Sequence, residues 1–115
     1  MKLTHCIKSK IIIIHPMGEL VINHTRPFKS YITALLNDHQ PLALIINCKD
    51  IECVDSAGIG AMLSISKETK MRNIGFACFQ MHDNLYGVFD AVGLIQMIPI
   101  YRTEEEALAF FQASL

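Results

Sequence analysis

The chain opens with two short apolar runs, Leu3–Ile7 and Ile11–His15, separated by Lys8-Ser9-Lys10. The second is rich in β-branched side chains and stops before Pro16, so the two read as paired strands. Met17-Gly18-Glu19-Leu20-Val21 then leads to a helix start, with Thr25 as candidate N-cap and Pro27 tolerated in the first turn. Phe28, Tyr31, Ile32, Leu35 and Leu36 recur at helical spacing and predict an amphipathic helix with one apolar face. Asn37–Pro41 ends it, because a proline disfavours helical geometry at the residue before it, here Gln40.

Leu42–Asn47 is a continuous apolar run, as expected of a strand buried on both faces. Cys48–Val54 reads as a connector with a short apolar stretch that ends at Val54. From Ile59 a second helix pattern turns Met62, Leu63 and Ser66 inward and leaves Lys67, Glu68 and Lys70 to water. Asn73 and Gly75 mark a turn, and Phe76–Phe79 reads as a strand. Leu85, Val88 and Phe89 form one helical stripe that stops at Gly93, and Ile95–Tyr101 reads as a last extended segment. Thr103-Glu104-Glu105-Glu106 is a capping box with three carboxylates at the positive end of the helix dipole; Ala107, Phe110, Phe111 and Leu115 give that helix its buried face. The predicted order is ββαβαβαβα. It describes an α/β fold, a mixed and mostly parallel sheet packed by about four helices.

Composition narrows the function. With no internal repeat or linker, the 115 residues are expected to form one domain spanning residues 1–115. A formal charge of −1 offers no basic face for a nucleic acid. No apolar run reaches the ~18 residues of a membrane span, so direct membrane insertion is not expected. The N-terminus lacks an apolar leader and cleavage site, which makes the cytoplasm the expected compartment. Cys6, Cys48, Cys53 and Cys78 form no Cys-x-x-Cys pair and are expected to stay reduced, with Cys48 and Cys78 acting as small buried hydrophobes. The five histidines have no metal-ligand spacing. Neither a metal nor a cofactor is expected.

Chemistry concentrates in Val54-Asp55-Ser56-Ala57-Gly58-Ile59-Gly60, where a strand signal gives way to a helix. A hydrolase elbow needs Gly-x-Ser-x-Gly, and Val54 stands where the first glycine belongs. Gly58-x-Gly60 falls short of a dinucleotide or phosphate loop, and no lysine follows it at once. Two readings remain and are compatible. Asp55 or Ser56 caps the helix, with the glycines easing the backbone. Ser56 also lies where a phosphate would meet free N–H groups and a favourable dipole, so the fold would bear the modification while a partner's surface met about −2 of charge.

The stretch Cys48–Gly60 resembles the signature of the STAS-domain family, and most closely that of the small bacterial anti-sigma factor antagonists: an apolar strand, an acidic connector and Asp-Ser-[Ser/Thr]-Gly-[Leu/Ile]-Gly. Gly18-Glu19-Leu20 and Val88-Phe89-Asp90-Ala91-Val92-Gly93-Leu94 add weaker matches. The resemblance implies a protein that binds an anti-sigma factor, itself a serine kinase, and so frees a sigma factor for transcription. The kinase then phosphorylates Ser56 and the complex parts; a serine phosphatase restores the active form. This chain would be substrate and ligand, not an enzyme. The implied partner face is Gly18, Glu19, Leu20, Asn23, His24, Asp55, Ser56, Ala57, Gly58, Ile59 and Gly60. Two positions depart from the pattern. Ala57 replaces a hydroxyl residue, and Val21 stands where an aspartate often follows Gly-Glu-Leu, with Asn23-His24-Thr25 placed to supply that polar contact. The same resemblance admits an alternative, a STAS adaptor on a membrane transporter or larger signalling assembly, in which Ser56 is only a cap.

Overall fold

A computed structural model describes residues 1–113. Its strands are β1 (Lys2–Lys8), β2 (Ile11–Leu20), β3 (Ala43–Asn47), β4 (Ile51–Val54), β5 (Gly75–Phe79) and β6 (Ile100–Tyr101). The helices are α1 (Thr25–His39), α2 (Ser56–Met71), α3 (Asp83–Ala91) and α4 (Glu104–Gln112), with short 3-10 turns at Ile22–His24 and Leu94–Gln96. β1 and β2 pair antiparallel; every other pairing is parallel, in the order β1-β2-β3-β5-β6. This is the mixed, mostly parallel α/β sheet read from the sequence.

The four consecutive isoleucines of β2 show why the run is unbroken. Ile12 and Ile14 join Leu44, Ile46 and Cys78 in a core beneath α1, α2 and α3. Ile11 and Ile13 point the other way, with Ile45, Phe79 and the α4 residues Ala107 and Phe111. Both faces are covered, so the period-two alternation of a half-solvated strand never develops. On α1, Phe28, Ile32, Leu35 and Leu36 are buried as predicted, and Tyr31 is half-buried. Cys48 and Cys78 are both fully buried; a hydrogen bond to Cys48, and then burial, holds the Cys78 thiol well above its usual range.

Several element boundaries differ from expectation. β2 continues through Pro16 to Leu20, because Pro16 lies between the part that pairs with β3 and the part that pairs with β4. There β2 has one neighbour only, and a missing N–H is tolerated. The connector contains a true strand, β4, which pairs with the end of β2 through Leu20 and Val54. Its four residues are too few to show a period. Thr25 does not cap α1: the 3-10 turn precedes it, and the Thr25 hydroxyl donates to the Ile22 carbonyl at 3.2 Å. In α2 the buried stripe is Ala61, Met62, Ile65 and Thr69, displaced from the predicted Leu63 and Ser66. Val88 and Phe110 are exposed rather than buried. Only Ile100–Tyr101 of the last extended segment is strand, and Leu115 lies outside the described residues. Thr103 caps α4 as expected, accepting from the Glu106 N–H at 3.2 Å.

α2 lies close against the end of β2 because Gly58 has no side chain. A Cβ there would sit 2.0 Å from the Leu20 carbonyl oxygen, a backbone atom that cannot move aside. Gly58→Ala therefore pushes the helix off the strand. Urea unfolding should show a loss of roughly 1–3 kcal/mol, the range for overpacking.

Candidate functional site

The site is assembled at the start of α2. β4 ends at Val54, Asp55 stays extended, and Ser56 is the first helical residue. Of the two cap candidates, Asp55 is the cap. Its Oδ1 accepts from the Gly58 N–H at 2.8 Å, which satisfies one of the unpaired donors of the first turn. Its Oδ2 accepts from the Ile22 N–H at 3.0 Å, and its own N–H donates to the Leu20 carbonyl at 3.4 Å. One carboxylate thus joins the helix to a turn 33 residues away. The hydrogen bond from Gly58 holds the Asp55 carboxyl below its ordinary range; desolvation pushes against it, and the hydrogen bond from Ile22 lowers it further. Ser56, relieved of capping, is exposed.

The remaining predicted residues converge on the same end of the sheet in different ways. Gly18 sits at an irregularity in β2 with φ of +121°, and its N–H donates to the Asp50 carbonyl at 3.0 Å. That left-handed backbone is where glycine is needed. Glu19 is exposed and pairs across to Cys53, whose thiol donates to Glu19 Oε2 at 3.3 Å. The hydrogen bond to Glu19, with desolvation and the charges of Glu19, Glu52 and Asp55, pushes the Cys53 thiol up and keeps it protonated. Asn23 is exposed. His24 turns its Nδ1 to the Glu19 carbonyl at 2.7 Å; a carbonyl only accepts, so that nitrogen carries the proton. Leu20 and Gly58 are buried and shape the site from beneath, whereas Ala57 and Ile59 are half-buried and Gly60 is exposed.

Two residues at this end escaped the sequence reading. Ile22 is 66 % exposed, the least covered aliphatic residue near Ser56. It lies outside both the strand and the helix period, where an apolar residue is unexpected, and that was the available clue. Cys53 gave no clue, because its exposure depends on β4 being an edge. Three of the five histidines have hydrogen-bond partners as follows: His15 with Asp50 at 2.6 Å, His24 with Glu19, and His82 between the Ile51 carbonyl at 3.0 Å and the Leu85 N–H at 3.2 Å. None of these contacts is with Ser56. A cavity of about 100 Å³ between β4 and α3, lined by Val54, Leu85 and Val88 among others, is smaller than a typical small-molecule site.

The depressed Asp55 carboxyl carries a pH signature. A group with a lowered folded-state pKa adds stability above its unfolded pKa, and this is lost as pH falls through the folded value. Asp55→Ala should melt below wild type at pH 7. The gap between the two melting curves should narrow once pH drops below about 4, where the unfolded aspartate takes up its proton.

Over 96% of this chain the fold superposes on a crystal structure of a putative anti-sigma factor antagonist from Thermotoga maritima, covering 94% of that protein at 22% identity with a TM-score of 0.88. The anti-sigma factor antagonist SpoIIAA in its unphosphorylated form matches with a TM-score of 0.83 at 19% identity, each chain covered to 97%. The phosphorylated Bacillus form of SpoIIAA matches with a TM-score of 0.72 at 20% identity, with 94% of this chain and 97% of that one covered. The murine anion transporter Slc26a9 matches 90% of this chain with 18% of its own length, at 18% identity and a TM-score of 0.81. Likeness at these identities establishes a shared fold. The family model for the STAS domain matches residues 5–107, and the chain belongs to the STAS-domain family.

Proposed function

We propose that this chain is an anti-sigma factor antagonist controlled by phosphorylation of Ser56. Unphosphorylated, it binds an anti-sigma factor that is also a serine kinase, and a sigma factor is released. Phosphorylation of Ser56 ends the complex, and a serine phosphatase restores it. The observation that carries this reading is the division of roles at the start of α2: Asp55 caps the helix, so the fold does not need the exposed Ser56 hydroxyl. A phosphate there lies at a helix N-terminus, where the dipole and free N–H groups favour negative charge. The domain keeps its shape while about −1.5 to −2 of charge appears beside Asp55 on the partner face.

That face comprises Gly18, Glu19, Leu20, Asn23, His24 and the stretch Asp55–Gly60, with Leu20 and Gly58 acting through the backbone. The kinase brings the ATP chemistry, and this chain serves as its substrate and ligand rather than as an enzyme. It works in the cytoplasm as a single domain. The likeness to antagonists in both phosphorylation states supports the reading, because it spans nearly the whole of each chain. A second reading, an adaptor docked on a transporter or signalling assembly, draws on the likeness to a segment of an anion transporter. In that case Asp55 performs the only role at the motif.

Incubation with ATP and a candidate serine kinase should add one phosphoryl group to the wild type and none to Ser56→Ala. Phosphate at another residue, or at none, refutes the switch. Ser56→Asp should lose the kinase while its melting temperature stays near wild type, because a carboxylate is tolerated at a helix start. Ser56→Ala should bind the kinase and resist release.

A further inference from the structure

Among the described residues three strands have a single neighbour, and they are not alike: β6 has two residues and β4 four, whereas β1 has seven, six of them exposed. Short edges offer little to pair with; a long one presents a row of free N–H and C=O groups. The hairpin decides which of these groups on β1 point outward. Ser9 and Lys10 have φ of 50° and 67°, the two-residue type I′ turn, so the flanking Lys8 and Ile11 exchange both hydrogen bonds. From there the antiparallel ladder alternates. Cys6, Thr4 and Lys2 turn their backbone groups toward β2, and Ile7, His5 and Leu3 turn theirs away. The opposite side of the hairpin agrees: at even positions its backbone points away from β1, as the Lys10 carbonyl accepts from the Leu42 N–H at 2.8 Å and the Gly18 N–H donates to the Asp50 carbonyl at 3.0 Å. Pro16, without an N–H, falls at another such position. Lys2 and Lys8, the charges able to keep a second strand off, stand at the ends of β1, and Lys8 is tied to Glu104 at 2.6 Å. Between them lies no proline, glycine, acid or further lysine, and His5 is turned in toward the Tyr31 hydroxyl.

We propose that β1 is an interface for a second copy of this chain, joined antiparallel about a two-fold axis at His5 so that two sheets become one. Self-complementarity selects this occupant. Leu3 meets the partner's Ile7, His5 meets the partner's His5, and Ile7 meets the partner's Leu3. Every outward group then finds an outward group, roughly six main-chain hydrogen bonds in all. The side chains choose the same register. Ile7 is the large apolar side chain that β1 leaves exposed, at 45 %, and it comes to lie against Leu3, which already packs on the core beneath α1. Residues 3, 5 and 7 share one face of the strand, so apolar meets apolar across the seam. On the other face Thr4 meets Cys6, and Lys2 meets Lys8, whose charge is shared with Glu104. A register centred on Cys6 sets Ile7 against His5, and one centred on Thr4 sets Leu3 against His5; both break the apolar pair. β1 contributes no residue to the face proposed around Ser56, so the inference is independent of that reading.

The purified chain should sediment as a monomer when dilute and increasingly as a dimer toward about 1 mM, the range of a small interface built on one strand. Ile7→Lys should weaken association at least about tenfold, with a melting temperature in dilute solution near wild type. His5→Pro should also dissociate the dimer, because the N–H it removes points outward and the ladder to β2 keeps its bonds. Register is read by cross-linking in a Cys53→Ser background, since Cys53 is the other exposed thiol. Thr4→Cys should form a disulfide-linked dimer under oxidised glutathione, because position 4 and the partner's Cys6 form a non-hydrogen-bonded pair about 4.5 Å apart at Cα. Adding Cys6→Ser should abolish that link. A chain that stays monomeric at about 1 mM overturns the inference and leaves the edge to a strand of another protein. A dimer that persists in both Ile7→Lys and His5→Pro lies on another surface, which also overturns it. So does a Cys6-to-Cys6 link with Thr4 in place, or a link in the Thr4→Cys, Cys6→Ser double variant, since these mark registers centred on Cys6 and on Thr4.

Discussion

The start of α2 is held by one carboxylate and one missing side chain, and the rest of the site depends on that pair. Asp55 accepts from the Gly58 N–H at 2.8 Å and from the Ile22 N–H at 3.0 Å. Gly58 lets the helix approach the Leu20 carbonyl to a distance that any Cβ would forbid. Together they lock β2, the Ile22–His24 turn and α2 into one rigid corner. A corner of this kind presents Ser56 at a fixed position without using its hydroxyl.

This arrangement separates holding the fold from the role proposed for Ser56. Were Ser56 the cap, modifying it would remove the acceptor that satisfies the first turn and would trade function against stability. With Asp55 as cap, a phosphate at Ser56 adds charge next to a group already ionised, in the field of a helix N-terminus that favours anions. The surroundings are acidic: Glu19, Glu52 and Asp55 all act on the Cys53 thiol. An added phosphate therefore deepens an existing negative surface rather than disturbing a balanced one. The core begins directly beneath this corner, where Leu20 belongs to it and Val54 and Ile59 pack against it, while Ser56 itself stays on the outer side.

Much of the fold was legible because burial on both faces leaves a strong mark. Ile11–Ile14 and Leu42–Asn47 read as continuous apolar runs, and α1 showed its stripe in Phe28, Ile32, Leu35 and Leu36. What misled were short or partly covered elements. β4 has only four residues, two of them exposed, and is a strand because the end of β2 is there to pair with it. Val88 and Phe110 follow helical spacing yet stay exposed, Phe110 meeting only the rings of Tyr101 and Phe111. Thr25 has the chemistry of a cap, but the preceding 3-10 turn already orders the backbone. In each case local preference gave way to what packs alongside.

The sequence by itself determined the α/β class, the strand and helix alternation, the STAS signature and Ser56 as the residue of interest. These rest on composition, periodicity and contiguous motifs, which need no knowledge of distant neighbours. The tertiary structure alone decided which residue caps α2, which predicted contacts are buried, and that Ile22 stands beside Ser56. The last of these joins Ile22 to Asp55, 33 positions apart, through a single hydrogen bond, and no local pattern encodes such a pairing. A chain writes its cores in repeated apolar positions, but it assembles its sites from pieces that meet only after those cores have formed.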